Sequence, residues 1–102
     1  MKYYLIEGKF KTFQFSLYAD ENKELKDKFE AFIQEGMDKG DILLFGDKAH
    51  GVIGLGRGIH LDSLLSNFEQ DPLTLADVVE YRIVEIEDAV LSKHPERFLK
   101  SN

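Results

Sequence analysis

The sequence predicts an α+β domain with the element order strand, helix, strand, strand, helix, strand. Three observations carry this prediction. Short runs rich in branched and aromatic residues alternate with two stretches of 3.6-residue apolar periodicity. The two middle strands are joined by a connection too short to hold a helix, which makes them antiparallel. Asp71-Pro72 stops the second helix just ahead of the last strand, because proline cannot continue a helix and pushes its predecessor toward an extended conformation.

The first strand spans residues 3–10. Tyr4, Ile6 and Phe10 fall on one face and Tyr3 and Leu5 on the other, so both faces are partly apolar, as for a central strand. Phe13, Phe15 and Leu17 have the opposite parity, so a bulge or turn is expected near residues 9–12. The first helix is expected near residues 20–39. Leu25, Phe29, Phe32, Ile33 and Met37 form its apolar stripe, Glu24 and Lys28 an (i, i+4) pair, Asp20 or Asn22 its cap, and Gly40 its end. Ile42 to Phe45 reads as a buried strand and residues 51–57 as a weaker one, with a short turn at 47–50. Leu61, Leu64, Leu65 and Phe68 mark the second helix, over 61–70, and residues 78–86 form the last strand, with Val79, Tyr81 and Ile83 on one face. The expected unit is a core of residues 1–87 and a tail of 88–102, which either forms a helical turn docked by Phe98 or frays.

The order βαββαβ is the ferredoxin-like arrangement: a four-stranded antiparallel sheet with both helices on one face. Its other face, assigned Tyr4, Ile6, Val84 and Ile86, would expose a contiguous apolar patch in water. A homodimer packed sheet to sheet, closing a dimeric α/β barrel, is therefore expected.

Of the 102 residues, 43% are hydrophobic and 31% charged, which suits a single folded domain. Thirteen Lys and Arg against nineteen Asp and Glu give a net charge of −6, which disfavours nucleic acid as a partner. There is no cysteine, which removes disulfides, thiolate nucleophiles and Cys-based metal sites. Three scattered histidines without clustered carboxylates make no metal site, and no cofactor is expected. The opening apolar run is too short for a signal peptide and no segment approaches a membrane span, so the expected location is the cytoplasm.

Three stretches together resemble the YciI-like (YCII-related) family of the dimeric α/β-barrel superfamily. They are the opening Tyr3-Tyr4-Leu5-Ile6; the first helix running into Gly40-Asp41-Ile42-Leu43-Leu44-Phe45-Gly46; and Phe68-Glu69-Gln70-Asp71-Pro72-Leu73, followed by Val79-Glu80-Tyr81-Arg82-Ile83-Val84-Glu85-Ile86. The resemblance implies a pocket, with a few members linked to lyase or dehalogenase-type steps on aromatic compounds; for this chain a lyase, isomerase or dehalogenase-like proton transfer on a small organic acid or aromatic compound is the expected activity. It also implies a site pairing a first-helix His with the Asp of Asp-Pro. Asp71 matches, but no His lies between Met1 and Lys48.

Asp71 is the candidate catalytic group, as a base at the mouth of a cleft if burial raises its pKa; the plainer reading is a turn cap. His50 could stand in for the missing His, but a loop histidine is the favoured reading. Phe13 and Phe15 could line a pocket or form a lid, and Arg57 or Arg82 could hold an anionic group. Gly54-Leu55-Gly56-Arg57-Gly58 lacks the spacing of a phosphate-binding loop and reads as a bent strand edge. With the first-helix His absent, a non-catalytic ligand-binding or assembly module is the alternative to an enzyme.

Overall fold

The computed structural model describes residues 1–100; the last two residues of the expected tail lie outside them. Strand β1 (Lys2–Phe10) leads through a bend and a 3-10 turn (Asp20–Asn22) into α1 (Lys23–Asp38). Then come β2 (Ile42–Lys48), β3 (Gly51–Gly58), α2 (Leu61–Glu69), a short α3 (Pro72–Leu75), β4 (Val79–Ile86) and a single turn, α4 (Pro95–Phe98). The sheet order is β2-β3-β1-β4 with every neighbour antiparallel. This is the ferredoxin-like arrangement.

The register decides what the apolar pattern of β1 left open. Tyr4, Ile6 and Gly8 align with Gly56, Gly54 and Val52 of β3, and Ile6, Gly8 and Phe10 with Ile83, Tyr81 and Val79 of β4. Residues directly opposite one another share a face. This face lies under the helices, where Phe29 and Ile33 of α1 and Leu64 and Phe68 of α2 join Tyr4, Ile6, Val52 and Val79 in the buried core. The sequence-based assignment of Tyr4 and Ile6 to the uncovered face is therefore corrected: both are fully buried. Either parity of β1 is apolar enough to be buried, and only pairing with β3 and β4 selects one. Val84 and Ile86 do lie on the uncovered face, opposite Leu5 and Tyr3.

The glycine-rich third strand is an inner strand, not an edge. Its glycines make room on the helix side. A Cβ at Gly54 would fall against the Phe45 ring and 2.7 Å from the Leu44 carbonyl oxygen. The turn expected after β1 is present. Helix α1 starts three residues later than expected. Its N-cap is Asn22, whose side-chain amide donates to the Ser16 carbonyl (2.7 Å) and accepts no bond from the helix amides. Gly40 follows α1 with φ +80. The Glu24–Lys28 pair forms at 3.2 Å, worth a few tenths of a kcal/mol on an exposed helix face. The tail makes its helical turn, but Phe98 is 80% exposed and does not dock. No helix among the described residues is long and apolar enough to cross a membrane.

Gly54→Ala is expected to destabilise the fold by about 1–3 kcal/mol, the usual cost of overpacking. Urea unfolding followed by circular dichroism measures it, and an unchanged midpoint would contradict the packing described.

Candidate functional site

Asp71 ends the connection from α2 and starts α3. Its backbone is extended (φ −59, ψ 133), Pro72 occupies the first helical turn, and the side chain caps the helix. Oδ2 accepts from the Thr74 amide and from Thr74 Oγ1, both at 3.3 Å. Asp-Pro-x-Thr is a natural helix start. The carboxylate satisfies an amide that has no partner within the helix, and proline tolerates the first position.

A cap, however, is normally wet, and this one is not: Asp71 has no solvent exposure at all. Its second oxygen, Oδ1, is buried without a hydrogen-bond partner, as is Tyr81 Oη. The Tyr81 hydroxyl lies beside the carboxyl without completing a well-formed hydrogen bond to it. Burial dominates and raises the carboxyl above the ordinary carboxylate range; the Tyr81 hydroxyl, the Leu73 and Thr74 amides and the Thr74 hydroxyl partly offset it. The Tyr81 phenol is pushed far up, first by burial, then by the Asp71 charge and its hydrogen-bonding. Both groups are shifted toward their protonated forms.

The sheet and α2 hold Tyr81 in place. Its ring meets Phe68 edge-on at 4.8 Å between centroids. Beneath it is Gly8, where a Cβ would lie 2.9 Å from Tyr81 Cε1 and 2.8 Å from Val52 Cγ2. Only glycine lets the ring approach β1 so closely.

The other sequence-derived candidates lie elsewhere. His50 occupies the tight turn between β2 and β3 with φ +57, and its ring packs edge-on against Phe13 at 4.9 Å. Phe13 is itself 79% exposed. Asp71 takes its side-chain contacts from Thr74 and Tyr81, not from a histidine. Phe15 packs on Phe10 (4.9 Å). Arg57 donates through Nε to the Gly40 carbonyl at 2.6 Å. Arg57 aligns with Tyr3, whereas Tyr81 aligns with Gly8. That is five residues along β1, or ~17 Å at the usual strand rise. Arg82 neighbours Tyr81 in sequence and so points to the uncovered face. Within the chain the candidates are thus spread over separate places. Among the described residues no group of three or more His, Cys, Asp or Glu is placed to hold a metal ion.

Sequence reasoning missed Thr74 and Tyr81. Thr74 had a signal, its position three residues after an Asp that precedes proline. Tyr81 had none beyond its alternation with Val79 and Ile83, because its pairing with Asp71 is tertiary.

The raised carboxyl makes stability depend on pH. Its folded value lies above the ordinary 3.8, so its stabilising contribution is complete below that value and is lost as pH rises through the folded one. Asn caps comparably and does not ionise. Asp71→Asn is therefore expected to gain thermal midpoint relative to the natural chain as pH goes from about 4 to about 7. A pH-independent difference would refute the assignment.

No family model matches the chain. No curated protein matches it either. Among solved structures, the fold is similar to that of 5-chloro-2-hydroxyhydroquinone dehydrochlorinase from Burkholderia phenoliruptrix, determined in complex with 2,5-dihydroxybenzoquinone. The TM-score is 0.57 at 18% identity, over 90% of this chain and 97% of that one. The likeness at this identity is one of fold, and it spans nearly the whole of both chains.

Proposed function

We propose that the protein is a YciI-like member of the dimeric α/β-barrel superfamily acting on a small organic acid or aromatic compound, with Asp71 as the proton-transferring group. The observation that carries this reading is a carboxyl wholly removed from solvent with one oxygen uncommitted. An isolated buried carboxylate is costly, and perturbed titratable groups of this kind concentrate at functional sites. A raised pKa favours the protonated carboxyl relative to an ordinary carboxylate, the direction that suits proton exchange with a substrate. Tyr81 would orient the free oxygen and steady its charge in the ionised state. The place of the missing first-helix His is then taken by a phenol on β4. The structural neighbour's substrate suggests hydroxylated, halogenated aromatics as the first compounds to try.

One observation favours the alternative, a non-catalytic binding or assembly module. Oδ2 is already committed to capping α3, so Asp71 has a structural duty that would keep it in place without any reaction. Turnover separates the two. With halogenated hydroquinones and small hydroxy acids as substrates, Asp71→Asn is expected to lower kcat at least about 100-fold while the fold persists. Turnover retained in the variant removes Asp71 from the chemistry; absence of turnover in the natural chain across the panel leaves the binding module.

The sheet-to-sheet homodimer belongs to the same proposal. The uncovered face presents Tyr3, Leu5, Ile53, Leu55, Val84 and Ile86 by register, and Val84 and Ile86 are 36% and 41% exposed. A patch of this kind on a small domain is best covered by a second copy. Light scattering at micromolar concentration is expected to give twice the 11.7 kDa of the chain, and Leu55→Glu to give a monomer. A monomeric natural chain refutes the dimer.

A further inference from the structure

On the helix side of the sheet, a trough of ≈ 360 Å³ lies between α1 and the edge strand β2. Its volume falls within the roughly 300–1,000 Å³ of small-molecule sites. Phe45 and Asp47 of β2 pair with Gly54 and Val52, and Val52 belongs to the core beneath the helices. The trough is therefore on the opposite side of the sheet from the face assigned to the homodimer, and a second copy on that face leaves it open. Its floor is apolar and largely aromatic. Phe29 of α1 meets Phe45 edge-on at 5.7 Å between centroids, with Ile33 and Met37 alongside. Ring faces and edges of this kind suit a flat aryl body. Phe45 also stacks on Phe68, which in turn meets Tyr81, so two rings stand between the trough and the Asp71 site.

The rim supplies the charge. Tyr18, in the bend after β1, donates its hydroxyl to Asp47 Oδ2 at 2.5 Å. This bond fixes the carboxylate at the mouth of the trough. It also holds the phenol above its ordinary pKa, with burial the second cause, so Tyr18 remains a donor. Among the described residues Asp47 forms no ion pair. The one cation of the lining, Lys26, is already engaged: its Nζ pairs with Glu30 at 2.6 Å and stands 5.5 Å from the centre of the Tyr18 ring. One cation against two carboxylates leaves the lining net negative, the sign of the whole chain at −6, and both draw cations inward. An apolar trough with one unpaired, oriented carboxylate at its mouth is complementary to one class of molecule.

We propose that this trough binds an arylalkyl ammonium ion, its ring on Phe29 and Phe45 and its ammonium on Asp47 beside Tyr18. The ammonium donates to the carboxylate in a charge-assisted hydrogen bond, and removal of the ring from water adds the apolar share. The site does not depend on any reaction at Asp71 or on the dimer. A lysine side chain of another protein offers the same ammonium on an alkyl stem, so the ring is what separates a small amine from a peptide.

Isothermal titration of the full chain with phenethylammonium, phenylethanol, phenylpropanoate and butylammonium tests this. Phenethylammonium is expected to bind at least about tenfold more tightly than the neutral alcohol or the anion, since hydrogen bonds to charged groups are the strong ones. Butylammonium, the analogue of a lysine side chain, is expected to bind more weakly than phenethylammonium. Asp47→Asn still accepts from Tyr18 and is expected to remove the preference for the ammonium over the alcohol. Because the Tyr18–Asp47 bond also ties the bend to β2, a second variant keeps the test independent of that tie: Lys26→Met, on the exposed side of α1, frees the Glu30 carboxylate and should tighten phenethylammonium about threefold, the scale of one surface charge. Asp71→Asn should leave phenethylammonium binding unchanged. Absence of phenethylammonium binding, equal affinity for phenylethanol or butylammonium, retention of the preference in Asp47→Asn, or no gain in Lys26→Met overturns the proposal.

Discussion

The structure depends on the two-residue period of β1. This strand lies between β3 and β4, so its register fixes what faces the helices across most of the sheet. Placing Tyr4, Ile6 and Gly8 inward sets Val52 and Tyr81 opposite one another across the strand. It also leaves Tyr3 and Leu5 outward with Val84 and Ile86. A slip of one residue would exchange the two sets and would place Lys9, not Gly8, beneath the tyrosine ring. Core, uncovered face and the surroundings of Asp71 all follow from that single alignment.

Asp71 shows how one residue can serve two demands that conflict. Capping α3 calls for an ionised carboxylate accepting from amides, which lowers proton affinity. Burial in the core calls for a neutral one. Burial is the larger influence, and the residue therefore carries a cost at neutral pH that a polar, uncharged side chain would avoid. Retaining such a group is reasonable where its proton has a use, and the short α3 with its Thr74 contacts then serves as the holder.

The elements themselves were largely readable from sequence. Phe29 and Ile33 in one helix, and Leu64 and Phe68 in the other, announce their buried stripes, and Asp71-Pro72 marks the break after α2. The short helix Pro72–Leu75 went unread because four residues carry too little periodicity to register. The facing of Tyr4 and Ile6 was not readable, since Tyr3 and Leu5 are equally plausible inward residues and only strand pairing separates them. In the same way Asp71 could be singled out while its surroundings could not. Tyr81 reaches it through the sheet, His50 is drawn to Phe13 at the hairpin, and Arg57 is held by Gly40 at the far end. Long-range placement of this kind leaves no trace in local spacing.

Gly8 ties these levels together. Its missing side chain is the space into which the Tyr81 ring settles against β1. Any bulkier residue there would lift the phenol off the strand and drag its hydroxyl relative to the carboxyl. A change at Gly8 would therefore reach Asp71 through Tyr81, the hydroxyl beside its carboxyl. A side chain at position 8 would press on Val52, Tyr81 and Val79 together, so the packing beneath the phenol has no slack.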